Sequence, residues 1–206
     1  MKTEILRVDH PVALPHAADI LSHGGLVAFP TDTVYGLAAL PFRAEYIERL
    51  YIAKGRNSER AIAILLGDIA QLPQVTPNMG EMALKLANRF WPGPLTLIVQ
   101  RLPELPGVLS PNLTIGLRIP NHPTALALLK LVGPLAVTSA NLSGQANACT
   151  AQEVAAQLDG RIHLILDGGV TPGGVPSTVV DCTNLEPRIL RQGPILQVDL
   201  QTALSK

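Results

Sequence analysis

The first part of this chain with side chains suited to ligand binding is a polar stretch that follows an apolar one. Residues 30–36 read Pro-Thr-Asp-Thr-Val-Tyr-Gly, and the apolar residues 26–29 before them predict a buried strand. Open α/β sheets bind ligands at the carboxyl ends of their strands, where hydroxyl, carboxylate and phenol groups supply directional hydrogen bonds. A polar turn ended by Gly36 explains the same pattern, so residue types alone leave both interpretations open.

A basic cluster lies between a predicted helix and a predicted strand. Lys54, Gly55 and Arg56 are consecutive, and Arg60 follows shortly after them. Lysine supplies a compact positive charge and arginine a two-pronged donor, while glycine lets the backbone approach a ligand; together they suit the phosphates of a nucleotide triphosphate. The alternative is a solvated basic helix end, stabilised by the helix dipole, and the cluster taken alone favours it.

A long acid-free stretch contains a third candidate loop. No Asp or Glu occurs from Leu105 to Gln152, whereas Arg118 and Lys130 do. Residues 138–144 (T-S-A-N-L-S-G) follow an apolar run in this stretch, and small hydroxyl and amide side chains in an anion-free setting suit an anionic ligand. A turn before the next helix is the alternative, and chance can segregate the acids in a chain with only 16% charged residues.

Two further candidates stand near the end of the chain, and several common motifs are missing. Ser177 precedes a predicted strand and Arg191 ends the last one, so each either binds a ligand or stabilises local structure. The sequence contains no G-x-x-x-x-G-K-[ST], G-x-G-x-x-G or G-x-S-x-G motif, which argues against a P-loop, a dinucleotide fold and a serine-hydrolase elbow. The five histidines and the two cysteines, Cys149 and Cys182, show no metal-ligand spacing.

The elements that must position these residues alternate between helical and strand patterns, which predicts an α/β domain. We expect one domain over residues 1–206 with a core over about 15–197. The predicted helices cover residues 16–23, 43–53, 79–90, 123–132 and 150–159, the last opened by a capping box. The predicted strands cover residues 26–29, 61–66, 95–100, 115–119, 135–138, 162–166, 178–182 and 188–191.

Composition narrows the class of protein. Hydrophobic residues make up 47% of the chain, which is enough for a sizeable core. Sixteen basic and sixteen acidic residues cancel, which argues against a generally basic nucleic-acid-binding coat but leaves a local basic patch open. No signal peptide and no apolar run of membrane-spanning length is present, so we expect a cytoplasmic protein with no membrane partner.

Taken together and in order, the motifs resemble those of the YrdC-like family. The resemblance covers about residues 20–195, and seven motifs in sequence are far more specific than any one of them. It implies a single-domain, twisted, mixed α/β sheet flanked by helices, with a large basic concave face. The motifs are P-T-D-T-V-Y-G-L, K-G-R, P-L-T-L-I, G-L-R-I-P, S-A-N-L-S-G, P-S-T-V-V-D and L-R-Q-G.

The resemblance also implies an activity, namely threonylcarbamoyl-AMP synthesis by a nucleotidyltransferase. Its substrates are L-threonine, bicarbonate or CO2, and ATP with Mg2+, and pyrophosphate is released. The product serves threonylcarbamoyladenosine modification of tRNA position 37. The implied partners are therefore downstream threonylcarbamoyl-transfer proteins and tRNA or double-stranded RNA. No metal site formed by the protein's own side chains is expected.

The family's motif positions imply a role for each candidate. L-threonine is expected to contact Thr33, Arg118, Ser139 and Ser177. ATP is expected to contact Lys54, Arg56, Arg60, Thr114, Asn141, Cys149 and Arg191. The catalytic residues are expected to be Lys54, Arg56, Ser139 and Asn141.

This chain also departs from the family pattern in places. Many relatives have proline where Asn57 stands, asparagine where Arg60 stands, histidine where Leu65 stands and a nucleotide-contacting threonine where Cys149 stands. We expect the short form, without the extra C-terminal domain of longer members. The N-terminal tail is then a candidate for a segment that closes over the site.

The expected chemistry relies on charge. A carbamate of threonine must attack the α-phosphate of ATP, and both groups are anionic, so cationic side chains must offset their repulsion and hold them in line. One competing hypothesis is an RNA-binding module without synthase activity, whose affinity would fall steeply with salt. Another is a paralogue with weak or no synthase activity, which retention of Thr33, Arg118 and Ser177 disfavours.

Overall fold

The computed structural model describes residues 2–205, and its centre is one mixed sheet of ten strands in the order β1-β8-β2-β3-β7-β4-β6-β5-β9-β10. Parallel and antiparallel pairs both occur: β2 is parallel to β8 and β5 to β9, whereas β3 is antiparallel to β7. In chain order the strands are β1 (Glu4–Arg7), β2 (Val27–Phe29), β3 (Gly36–Ala39), β4 (Ala63–Leu65), β5 (Leu95–Gln100), β6 (Thr114–Arg118), β7 (Leu135–Ser139), β8 (Leu164–Asp167), β9 (Thr178–Asp181) and β10 (Arg188–Arg191).

Helices cover both faces of this sheet, so the predicted α/β class is confirmed. One apolar cluster joins the first and fourth helices to one face, and a second, larger cluster joins the remaining helices to the other. The helices are α1 (Ala13–Ser22), α2 (Ala44–Lys54), α3 (Glu81–Phe90), α4 (Pro123–Val132), α5 (Ala151–Leu158) and α6 (Gln197–Leu204), with short 3-10 turns at Ile69–Gln74 and Gly107–Leu109.

Successive side chains of the central strands point to opposite faces of the sheet, so each strand contributes residues to both apolar clusters. Val27 and Phe29 of β2 contact the α1 and α4 side, whereas Ala28 between them belongs to the opposite cluster. Leu164 and Ile165 of β8 divide in the same way. Because successive side chains of a strand point to opposite faces, an uninterrupted apolar strand must be covered on both sides.

All five predicted helices and all eight predicted strands are present, with shifts at their ends. The capping box of α5 is confirmed: Thr150 Oγ1 accepts a hydrogen bond from the Glu153 N–H at 3.2 Å, and Glu153 Oε2 accepts one from the Thr150 N–H at 3.3 Å. Helix α1 was predicted from residue 16 but begins at Ala13, because His10 and Pro11 before it form a turn. Ala13 and Leu200, near the two ends of the described chain, are also buried.

Three elements were not predicted: β1, β3 and α6. Gly36, taken as the end of a polar turn, is the first residue of β3, whose small side chains carry no clear strand pattern. Strand β1 is mostly exposed and pairs only with β8, at the edge of the sheet. The N-terminal tail, expected as a candidate lid, is therefore held in the sheet.

Candidate active site

An open cleft of about 250 Å³ lies on the same face of the sheet as α1 and α4, where those helices leave the strands uncovered. Every second residue of the neighbouring strands faces it, including Thr96 and Ile98 of β5 and Gly116 of β6. Six of the predicted site residues line this cleft: Thr33, Arg56, Arg118, Ser139, Ser177 and Arg191.

The sheet order brings these distant segments together. Strand β7 lies between β3 and β4, and its last residue, Ser139, is paired with Gly36 at the start of β3. Arg118 at the end of β6 is paired with Leu65 of β4, and Thr178 of β9 with Leu95 of β5. The polar segments next to these strand ends therefore meet around one opening, as expected for ligand sites in α/β sheets.

Arg118 is the most deeply fixed charge in the cleft. Its Nη2 donates to Asp32 Oδ1 at 2.5 Å, its Nη1 to Thr33 Oγ1 at 3.1 Å and its Nε to the Gly93 carbonyl at 3.0 Å. The side chains of Arg118 and Asp32 are only 6% and 11% exposed. Burial lowers the pKa of Arg118, and Asp32 acts in the opposite direction. A guanidinium carries five N–H donors, so two remain for a ligand.

Thr33 is held by a chain of hydroxyl groups whose direction can be assigned. Thr31 Oγ1 donates to the Val34 carbonyl at 2.7 Å and accepts from the Thr33 N–H at 3.1 Å. The hydroxyl groups of Thr31 and Thr33 lie 2.9 Å apart. Since Thr31 has one hydroxyl proton and uses it on Val34, Thr33 must donate to Thr31 and accept from Arg118. The Thr33 hydroxyl is thus buried and preoriented at the cleft wall.

Ser177 and Arg191 also line the cleft, next to β5. Arg191 donates from Nε to the Ser177 carbonyl at 3.0 Å and from Nη2 to Ser177 Oγ at 3.1 Å. Ser177 Oγ also lies 2.8 Å from Thr96 Oγ1. Thr96 was not predicted as a site residue, and only its place in the P-L-T-L-I motif could have indicated it. These contacts fix the Arg191 guanidinium in the cleft, near enough to Arg118 for the two positive charges to interact.

Arg56 supplies the third positive charge. It donates from Nη2 to the Ala61 carbonyl at 3.0 Å and from Nη1 to Thr138 Oγ1 at 3.4 Å, and its Nε is buried without a partner among residues 2–205. Burial lowers the pKa of Arg56, and the positive charges of Arg60 and Arg191 lower it further. Arg191 likewise acts on Arg118. Arg191 therefore repels both Arg56 and Arg118, and an anion bound among them would relieve that repulsion.

Lys54 does not line the cleft. It is 2% exposed, and its Nζ donates to the backbone carbonyls of Ser139 and Asn141, while its own carbonyl accepts from the Ser143 N–H at 2.9 Å. Burial, with a smaller contribution from Arg56, lowers the Lys54 pKa to about 7. Gly55 ends α2 in the left-handed conformation, with φ of 58°, which turns the chain toward Arg56. Lys54 thus connects α2 to the loop after β7.

The remaining predicted residues do not line the cleft. Thr114 shares a strand face with Gly116 and Arg118 but lies one repeat farther along β6. Asn141 is buried, and its Nδ2 donates to the carbonyls of Leu142 and Gln145. Cys149 is half-buried and Arg60 is exposed.

Two kinds of feature are absent from residues 2–205. No cluster of three or more His, Cys, Asp or Glu side chains in this part of the chain could hold a metal ion. None of the described helices is long and apolar enough to cross a membrane.

The Sua5/YciO/YrdC family model, described as "Telomere recombination", matches residues 19–193. The threonylcarbamoyl-AMP synthase of Bacillus subtilis is 43% identical over 208 residues, which cover 98% of this chain and 59% of that protein. The structure of P. abyssi Sua5 complexed with L-threonine has a TM-score of 0.92 and 36% identity, over 98% of this chain and 60% of that one.

E. coli YciO has a TM-score of 0.82 and 28% identity, over 94% of this chain and 96% of that one. The similarity to these proteins extends through the segments that carry Thr33, Arg118 and Ser177, because nearly the whole chain is covered in each comparison. This chain spans about 59% of the length of the Bacillus relative. The family-model match over residues 19–193 shows that the chain belongs to the Sua5/YciO/YrdC family.

Proposed function

We propose that this protein is an L-threonylcarbamoyladenylate synthase, a nucleotidyltransferase that makes threonylcarbamoyl-AMP and pyrophosphate from L-threonine, bicarbonate or CO2, and ATP. The observation that carries the proposal is the cleft itself, in which three arginines from distant parts of the chain face one opening together with the hydroxyl groups of Thr33 and Ser177. Support comes from the synthase name of the Bacillus relative and from the L-threonine complex of the P. abyssi protein.

L-threonine fits the wall formed by Arg118 and Thr33. Arg118 has two N–H donors left after its contacts with Asp32, Thr33 and Gly93, and a planar guanidinium suits a carboxylate. Because Asp32 already neutralises much of its charge, we expect Arg118 to select the carboxylate by geometry as much as by attraction. We expect Ser177 and Ser139 to contact the rest of the amino acid.

ATP fits the side of the cleft between Arg56 and Arg191. Both guanidinium groups lose hydration there, since burial is the main cause that lowers their pKa values, and phosphate oxygens would replace that hydration. We expect Arg60, Thr114, Asn141 and Cys149 to contact the outer parts of the nucleotide. Mg2+ would arrive with ATP and be held by its phosphates, because residues 2–205 provide no ligand cluster of their own.

The proposed reaction has two bond-forming stages. The threonine amine adds to CO2 and loses a proton to become a carbamate. A carbamate oxygen then bonds to the α-phosphorus of ATP while the bond from that phosphorus to the bridging oxygen breaks, and pyrophosphate leaves. Arg56, Arg118 and Arg191 lower the repulsion between the anions and hold them in line. Lys54 supports this geometry from behind, through the carbonyls of Ser139 and Asn141.

The product would be consumed by proteins that transfer the threonylcarbamoyl group to tRNA position 37. The intermediate is an acyl phosphate anhydride, which hydrolyses in water, so a partner that accepts it directly from the cleft is expected. Both tRNA and the transfer proteins remain proposed partners.

Pyrophosphate release from ATP tests the proposal, measured with both co-substrates and with L-threonine or bicarbonate omitted. We expect release to require both, and Arg56→Ala to lower turnover about 10²-fold. Arg89→Ala is the matched control, since Arg89 is an exposed arginine on α3 away from the cleft. Release that is independent of L-threonine, or equal loss in the two variants, would refute the proposal.

A further inference from the structure

A second cavity, of about 230 Å³, lies next to the residues that precede strands β2 and β8. It opens beside Leu26, immediately before β2, whereas the cleft opens after the other end of that strand. The two share no lining residue. Leu26, Arg49, Ile52, Ala53, Arg161 and His163 line the second cavity, and the reaction proposed above uses none of them.

The His163 ring presents a hydrogen-bond donor whose position is set by the backbone. Its Nδ1 accepts from the Leu26 N–H at 3.0 Å, so in the neutral ring the proton is on Nε2. No protein acceptor for Nε2 is found among residues 2–205. The ring also lies close to Gly25, where an added Cβ would come within 3.3 Å of His163 Cγ. The ring is therefore preoriented with one unused N–H.

Arg49 is preoriented in the same way. Its Nη1 donates to the Gly24 carbonyl at 2.8 Å, and its guanidinium lies 5.6 Å from the centre of the Tyr46 ring. No carboxylate lies within ion-pair distance of Arg49 or Arg161 in the described chain. Burial and the positive charge of Arg49 both lower the pKa of His163. The cavity thus has positive charge without a protein counter-ion.

The floor of the cavity is apolar. Leu26 and Ala53 are buried there, and Ile52 at the rim is 75% exposed. An exposed isoleucine beside two arginines favours a ligand that has both an apolar body and an anionic group.

We propose that this cavity is a second binding site, which takes a small phosphate monoester with an apolar body. The phosphate would accept hydrogen bonds from Arg49, Arg161 and His163 Nε2, and the apolar part would cover Ile52. A dianion suits two guanidinium groups and an imidazole N–H better than a single carboxylate does. The inference is independent of the proposed function, because the two sites have no residue in common.

The test follows the His163 imidazole by NMR during titration of the full-length protein with phenyl phosphate, the signal being assigned with a His163→Gln variant. We expect a saturable shift of His163, and binding at least about tenfold weaker in the Arg49→Gln/Arg161→Gln variant, since the phosphate loses its charge-assisted hydrogen bonds to both arginines. The Arg89→Gln variant should bind like the wild type. Arg56→Gln should leave the shift intact, which separates this site from phosphate binding in the cleft.

Two further measurements, with an Ile52 variant and with other ligands, decide the class of ligand. Ile52→Ser should weaken phenyl phosphate but not inorganic phosphate, and because Ile52 is exposed this variant should fold normally. The proposal is overturned if His163 does not shift, if the arginine variant binds as tightly as the wild type, or if inorganic phosphate binds as tightly as phenyl phosphate. A shift with short single-stranded RNA but not with phenyl phosphate would also overturn it, in favour of nucleic-acid binding.

Discussion

Replacing Asp32 with asparagine should destabilise the protein strongly, because it leaves Arg118 charged and without its partner in a buried site. The two groups are 2.5 Å apart, and their side chains are 11% and 6% exposed. At about 4 Å between charge centres and an effective dielectric constant of about 20, the attraction amounts to about 4 kcal/mol. Removing one member of a buried ion pair typically costs about 3–5 kcal/mol, so we expect Asp32→Asn to lower the free energy of unfolding by that amount.

The measurement is urea denaturation at pH 7, with the change in midpoint converted through the slope of the transition. A double-mutant cycle with Arg118→Met isolates the interaction, because the double variant has no buried charge left to leave unpaired. We expect the double variant to be at least about 2 kcal/mol more stable than the sum of the two single losses predicts. Arg118 is also the proposed carboxylate ligand, so both single variants should raise the KM for L-threonine.

Asp9→Asn is the matched control. Asp9 makes a comparable contact with Arg7 at 2.7 Å, but the two side chains are 64% and 78% exposed. Water screens such a pair, so its loss should leave the free energy of unfolding unchanged within error. If Asp32→Asn costs less than about 1 kcal/mol, or if the cycle is additive, the pair does not hold Arg118 in the way the geometry indicates.

Two other predictions concern the cleft and its support. Ser177→Ala removes an acceptor of Arg191 and a partner of Thr96. Because both groups then lose a buried hydrogen bond, the free energy of unfolding should fall by about 1–3 kcal/mol. The kcat/KM for pyrophosphate release should also fall, by about tenfold, because Arg191 loses part of its orientation, and unchanged kinetics would contradict this role. The Lys54 pKa falls from 10.5 to about 7 on folding, so above pH 7 the unfolded chain binds more protons than the folded one. Raising the pH from 7 to 9 should therefore stabilise the wild type relative to Lys54→Met, by up to about 1.4 kcal/mol per pH unit in urea denaturation. Identical pH dependence in the two proteins would exclude a lowered Lys54 pKa in the folded state.

Much of the fold could be read from local patterns. The helix Pro123–Val132 and the strands Leu95–Gln100 and Arg188–Arg191 have the predicted bounds, because each combines clear periodicity with a proline, glycine or charged boundary. The capping box at Thr150 was also predictable, since its two hydrogen bonds join residues three apart. Strand β3 was missed because small residues pack between neighbouring strands without producing a pattern of their own.

The amino-acid sequence by itself identified the family, through the order of its motifs, and predicted which residues carry the chemistry. It did not determine how those residues meet. Asp32 and Arg118 are 86 positions apart, and Arg56 and Thr138 are 82 apart. Such pairs depend on the order of strands in the sheet, which local propensity does not encode.

The tertiary structure also separated residues that the motifs present as equals. Lys54 and Arg56 are neighbours in the K-G-R motif, yet Arg56 faces the cleft while Lys54 turns away to bind two backbone carbonyls. The left-handed Gly55 between them makes this divergence possible. The loop after β7 brings two carbonyl groups to Lys54, and these draw Lys54 away from the cleft. A buried charged group must find hydrogen-bond partners, and only the fold decides where those partners lie.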